Sequence, residues 1–235
     1  MLYYEKYASE RLYSDIETKG LWDRVNSLGD VHCICNVVVD SETGADVVLL
    51  FHDKPEFDNV EVFDEFDNKT YVIPPRAGTL AEGFSFWSKV GTSGGKLSIH
   101  NCRTFDKPIT EKVMPSCKIP FNTWEDTYVQ SKVQWFDRPC PKGAKSAHGL
   151  NGYGLKFGIK KPPVTEWEHF TPYICHRVIE DCYIQKHTAL FLDNEAVLLK
   201  KMGIDFKQAL LVENYYAELC WQQELHGALV DVEHI

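Results

Sequence analysis

The chain has 235 residues, 44% of them hydrophobic and 13% aromatic, which is enough to bury one substantial core. Its length suits a single α/β domain over residues 1–235. A formal net charge of −9 excludes a protein that coats nucleic acid by bulk charge, because such binding relies on Lys and Arg neutralising phosphates.

No apolar run approaches the roughly 18 residues of a membrane span. The start MLYYEKYASER has neither the basic beginning nor the apolar middle of a signal peptide. No membrane partner and a cytoplasmic setting are therefore expected.

In chain order, strands come first and helices later. Residues 11–16 read as a strand, and 31–39 with 45–51, joined by the turn-prone DSETG, as a hairpin extending it. Residues 52–95, rich in Asp, Glu, Gly and Pro, read as an insertion with at most one helix, near 79–90. Short strands are expected at 96–100 and 124–127, the second running into a helix through 134. Further helices are expected at 147–156, 172–192, 194–202 and 206–226, the last closed by Gly227. Thr171 before Pro172 is a start signal, since Thr caps free amides and Pro tolerates the first helical position.

Of the eight cysteines only Cys33 and Cys35 form a close pair, and no second pair or matched histidines complete a zinc set. They read as reduced, mostly buried thiols.

The carboxylates carry more information. In RLYSDIETKGLW, Asp15 and Glu17 stand two apart in a strand, so both point to one face and repel unless a cation lies between them. Asp106 follows the strand KLSIH at the start of a helix, where a loop aims it into a cleft. The helix PYICHRVIEDCYIQKHTALFL leaves His176 and Asp181 five residues apart, about 140° around its axis. Four acids and a histidine from these elements suit two hard divalent ions, Mg2+ or Mn2+, clamping a phosphodiester.

DIET (15–18), HNCRTFD (100–106) and HRVIED (176–181) resemble the three motifs of the DEDD superfamily of 3′–5′ exonucleases. SDIET, LSIHNCRTFDKPIT, NTWEDTYVQSKV and AHGLNGYGLKFG further resemble the proofreading exonuclease domains of bacteriophage family A DNA polymerases. The resemblance implies a ribonuclease H-like fold with a central mixed five-stranded sheet flanked by helices. It implies a DNA 3′ end as substrate, Asp15, Glu17, Asp106 and Asp181 as metal ligands, and His176 as general base. Those polymerase domains usually carry a Tyr four residues before the last Asp; here Arg177 takes that position, and Tyr173 is the alternative to His176 for orienting water.

Thr18 and Asn101 are candidate contacts to the terminal nucleotide, with Phe105 and Trp22 as stacking candidates. Residues 138–161 carry Arg138, Lys142, Lys145, Lys156, Lys160 and Lys161 and no acid, a basic track able to follow a strand's backbone. Three readings stay open: a DNA exonuclease, an exoribonuclease, and an idle binding module of the same fold. Near the end, Glu224, Gly227 and Asp231 resemble the entry into a phage polymerase. Two readings of this segment stay open: a plain terminal helix packed on the core, or an exonuclease piece whose apolar surface near Trp221 and Leu225 a separate polymerase chain covers.

Overall fold

The computed structural model describes residues 2–21 and 23–227. Trp22 and Asp231, named above, lie outside the described residues.

Five strands form one mixed sheet. β1 (Arg11–Thr18) pairs antiparallel with β2 (Val31–Val39), which pairs antiparallel with β3 (Asp46–Phe51). A hairpin of β4 (Glu61–Asp64) and β5 (Lys69–Val72) follows, then α1 (Leu80–Thr92). β6 (Lys96–Ile99) and β7 (Trp124–Asp126) complete the sheet as parallel strands, in the order β3-β2-β1-β6-β7. The helices between and after them are α2 (Asp106–Val113), α3 (Thr127–Gln134), α4 (Leu150–Phe157), α5 (Pro172–Lys201) and α6 (Lys207–His226).

Strand alternation divides the core in two. Leu12, Ile16, Ile34 and Val38 face α1, where Phe84 and Trp87 are buried. Tyr13, Cys33, Cys35 and Val37 face α5 and pack on Ile174, Cys175, Val178 and Cys182. Asp15 and Glu17 share this second face, so the strand that builds the core also delivers two carboxylates toward α5. Six of the eight thiols are buried free cysteines, Cys102 and Cys117 in the α1-side core and the other four in the α5-side core; Cys140 is exposed and Cys220 intermediate.

The expected strands 11–16, 31–39 and 45–51 form the intended hairpin extension, although β1 runs on through Thr18. Three expectations need correction. The insertion holds a β-hairpin besides its helix, turned by Asn68 at φ 61° with its amide bonded to the Asp64 carbonyl (2.8 Å). The expected helices at 172–192 and 194–202 are one helix of 30 residues. Asp193 does not break it, because its carboxylate points away to Arg11 of β1. Finally, Thr171 is the N-cap residue of α5, but its side chain makes no capping hydrogen bond; Pro172 at the first turn carries the start signal.

Candidate metal centre

β1 and α5 bring the first and last acids together. Carboxylate oxygens of Asp15, Glu17 and Asp181 all lie within 4.8 Å of one another. The strand contributes its residues just before the pairing register slips between Glu17 and Thr18, an irregularity that ends the regular ladder at the site. Asp181 is buried, while Asp15 and Glu17 are each partly exposed.

Asp106, the first residue of α2, is buried; its oxygens fall outside that 4.8 Å group, yet the charges of Asp15 and Glu17 act on it. Burial, then the Asp181 charge, pushes Asp15 up to about 7. Burial, then Asp15, raises Glu17, and burial, then Asp15, raises Asp106, both well above the carboxylate range.

Two cations face this group. Lys161 Nζ lies 2.6 Å from Asp181 Oδ2, and Arg177 Nε lies 2.9 Å from the same oxygen and 3.9 Å from Glu17 Oε1. Even so, Asp106 Oδ1 and Asp181 Oδ1 are buried without a hydrogen-bond partner. Clustered carboxylate oxygens, with Asp181 Oδ1 among them and Asp106 Oδ1 outside the cluster both buried and unsatisfied, are the donor set a hard divalent cation prefers. The residues fit such an ion.

His176 faces elsewhere. On α5, Arg177 and Asp181 form one stripe toward β1, while Tyr173, His176 and Glu180 form the next, toward the β4–β5 hairpin. His176 Nε2 is 3.2 Å from Asp64 Oδ2, and its ring stacks on Tyr71 at 4.1 Å between centroids. The Tyr173 hydroxyl donates to Asp64 Oδ1 (3.1 Å). Burial lowers the His176 pKa, with Asp64 opposing. A cavity of about 280 Å3 beside this stack is lined by Asp67, Lys160, His176 and Glu180 among others.

The expected substrate residues are dispersed. Thr18 is buried and donates to the Gly20 carbonyl (2.6 Å). Phe105 packs against the α1-side core. Asn101, at φ 66°, lines a groove of about 580 Å3 between α3 and α6, apart from the carboxylates. Arg138 is buried in a two-pronged ion pair with Glu195 (3.0 and 2.6 Å). Lys156 sits 3.5 Å from the centre of the Phe191 ring, and Lys160 donates to the Phe66 carbonyl (3.0 Å). Lys142 and Lys145 are exposed.

Several contributors carried little or no sequence signal. Asp64, in the insertion, had none. Lys161 was legible only as part of a basic run and Arg177 only as a departure from a motif. Asp126 precedes a helix, as caps do, and accepts from the amides of Asn101, Arg103, Tyr128 and Val129 (2.9–3.2 Å), tying the loop before Asp106 to α3.

Fold and site together define a mixed α/β protein with an acidic centre suited to a hard cation. No family model matches the chain, and no curated protein matches it. Among the described residues no helix is long and apolar enough to cross a membrane.

Proposed function

We propose that the chain is a metal-dependent 3′–5′ exonuclease of the DEDD type on a ribonuclease H-like fold, acting on the 3′ end of single-stranded or frayed DNA. The convergence of Asp15, Glu17 and Asp181 from distant parts of the sequence, all within 4.8 Å, carries this reading. Acids of the first and third motifs meet at one place, with Asp106 of the second near enough to feel their charge, and their mutual repulsion makes sense as a cation site.

Asp15, Glu17, Asp106 and Asp181 would hold Mg2+ or Mn2+, which supplies Lewis-acid polarisation of a phosphodiester. Two such ions are proposed for the four carboxylates. His176 is proposed as general base: burial favours its neutral imidazole, able to accept a proton, while the contact with Asp64 holds the ring on the hairpin. To serve, it must turn from the hairpin toward the carboxylates. Exposed Lys142 and Lys145 are proposed to meet the strand's phosphates, whereas Arg138 is committed to Glu195. The side chains of Thr18 and Phe105, turned inward, would reach a nucleotide only after rearrangement.

A separate DNA polymerase chain is proposed as partner, a proofreading arrangement supported by the exposed apolar residues Leu219 and Leu225 on α6. The functional test is digestion of end-labelled single-stranded DNA and RNA of equal sequence with Mg2+ or Mn2+. Loss of single nucleotides from the 3′ end of DNA, stopped by chelator, is expected. Preference for RNA would move the assignment to an exoribonuclease, and inertness toward both would leave a binding module.

A further inference from the structure

We infer that the cavity between the β4–β5 turn and the start of α5 is a nucleobase site, where the rings of Phe63, Phe66 and Tyr173 hold an unpaired base of the strand that the acidic centre cuts. This rests on the exonuclease reading above and deepens it by placing the strand's bases on the 52–95 insertion, which none of the motif segments covers.

The motif residue expected to stack has no free face, since Phe105 packs against the α1-side core. The hairpin supplies what is missing. Phe63 on β4 and Phe66 in the turn are 55% and 54% exposed, although Val62 and Asp64 beside them are buried. Strand alternation accounts for Phe63, because Asp64 turns inward to Tyr173 and His176. The turn that carries Phe66 is firmly built. The Phe66 amide donates to Asp64 Oδ1 (2.8 Å), the Asn68 amide to the Asp64 carbonyl (2.8 Å), and the Tyr71 hydroxyl to Asp67. Two large rings held open on a fixed turn are a platform of the kind on which single strands stack.

With Glu65, Pro163 and Tyr173, these rings line a cavity of about 540 Å3, within the size range of small-molecule sites. Its chemistry selects a base over a phosphate. The rings offer apolar faces, while Glu65 repels phosphate and can accept hydrogen bonds from base amino groups. The positive charge stands at the edge. Exposed Lys160 has its Nζ 5.2 Å from the Phe66 ring centre and donates to the Phe66 carbonyl (3.0 Å), which leaves two of its three hydrogens for a backbone phosphate. Rings for bases beside an ammonium for phosphate hold a single strand without sequence preference.

The cavity also borders the centre. Pro163 follows Pro162, whose carbonyl accepts from Arg177, and Lys161 before them pairs with Asp181 (2.6 Å). Tyr173 lies one helical turn before Arg177 on α5. Both walls therefore lead to residues that touch the carboxylates.

The experiment measures binding of the full chain to a labelled single-stranded DNA and to the same sugar–phosphate strand lacking its bases, by fluorescence anisotropy in excess chelator so that nothing is cut. Wild type should prefer the strand with bases by roughly tenfold or more. Phe63→Ala and Phe66→Ala should each weaken binding of that strand roughly tenfold, the scale of one lost stack, and leave the abasic strand unaffected. Phe63→Tyr should keep wild-type affinity. Thermal unfolding checks that each variant is folded, and Phe66→Leu, which keeps the bulk without the ring, replaces Phe66→Ala if that variant fails. Equal binding of the two strands by wild type, or wild-type affinity for the strand with bases in either folded variant, overturns the inference. The same wild-type preparation is then given labelled DNA with Mg2+. Shortening without base-dependent binding sinks this site alone, and base-dependent binding without shortening sinks the nuclease reading.

Discussion

Asp15 sits among charges of its own sign, and its protonation ties the site to the stability of the chain. Its pKa in the folded protein is raised to about 7 from an ordinary 3.8, so the folded state keeps a proton that the unfolded state has lost. Stability from this group is fully present below about pH 4 and is lost as pH rises through 7; the raised Glu17 and Asp106 act in the same direction. Asp40 acts oppositely. Lys6 first, then Tyr7, hold its carboxyl well below the usual range, so its contribution exists above about pH 4 and is lost in acid. In chelator, the melting temperature should therefore climb from pH 8 toward pH 5 and fall again below pH 4. Asp15→Asn should remove much of that climb and raise the melting temperature at pH 8 by several degrees, at about 2–4 °C per kcal/mol for a chain of this size. It should also abolish cleavage. A variant less stable than wild type at pH 8 would count against repulsion at the centre.

At the scale of elements, the site depends on how firmly two connections are tied. Asp126 satisfies four amides at once, capping α3 and fixing the loop that leads to Asp106. Asp126→Ala should cost roughly 1–2 kcal/mol in denaturant unfolding, the range of a lost cap, and should lower the turnover number by misplacing Asp106. Unchanged turnover would show that Asp106 is positioned by other contacts. The hairpin β4–β5 is the second tie, through Asp64 and Tyr71 on His176. If His176 is the base, the rate should fall as pH drops through its lowered pKa, and His176→Gln should erase that limb of the profile. An unaltered profile would move the role to another group, with Tyr173 first to be tried.

What could be read from sequence follows the same division. The sheet was legible because alternation in VHCICNVVV and the turn residues of DSETG are local signals. α5 was divided in two at Asp193 and Asn194 because neither favours a helix interior; the ion pair of Asp193 with Arg11 is a tertiary contact that overrides that preference. The hairpin was missed because VFDEFDNKTYV has short strands and a charged turn. Asp15, Glu17 and Asp181 were legible as acids placed where the fold tolerates none without cause. Asp64 as partner of His176 and Lys161 as partner of Asp181 were not, since they arrive only through packing; Arg177, one helical turn before Asp181, was placed by spacing alone.

Over the whole molecule, α6 closes one end through polar contacts more than through apolar burial. Buried Arg103 meets Asn214 (3.1 Å) and Glu218 (3.5 Å), and Lys107 meets Glu218 (2.9 Å). Leu211, Val212, Tyr215, Tyr216, Leu219 and Leu225 are left at least 45% exposed, and this is the surface proposed to meet a partner chain. That surface and the acidic centre are built on different elements, so catalysis by the isolated chain can be measured without the partner. The most direct test is the 3′-end digestion of labelled single-stranded DNA by wild type and Asp181→Asn, with Mg2+ and then with excess chelator. The account predicts stepwise shortening by wild type alone, stopped by chelator and absent in Asp181→Asn. Digestion that persists in chelator, or in folded Asp181→Asn at the wild-type rate, would contradict it.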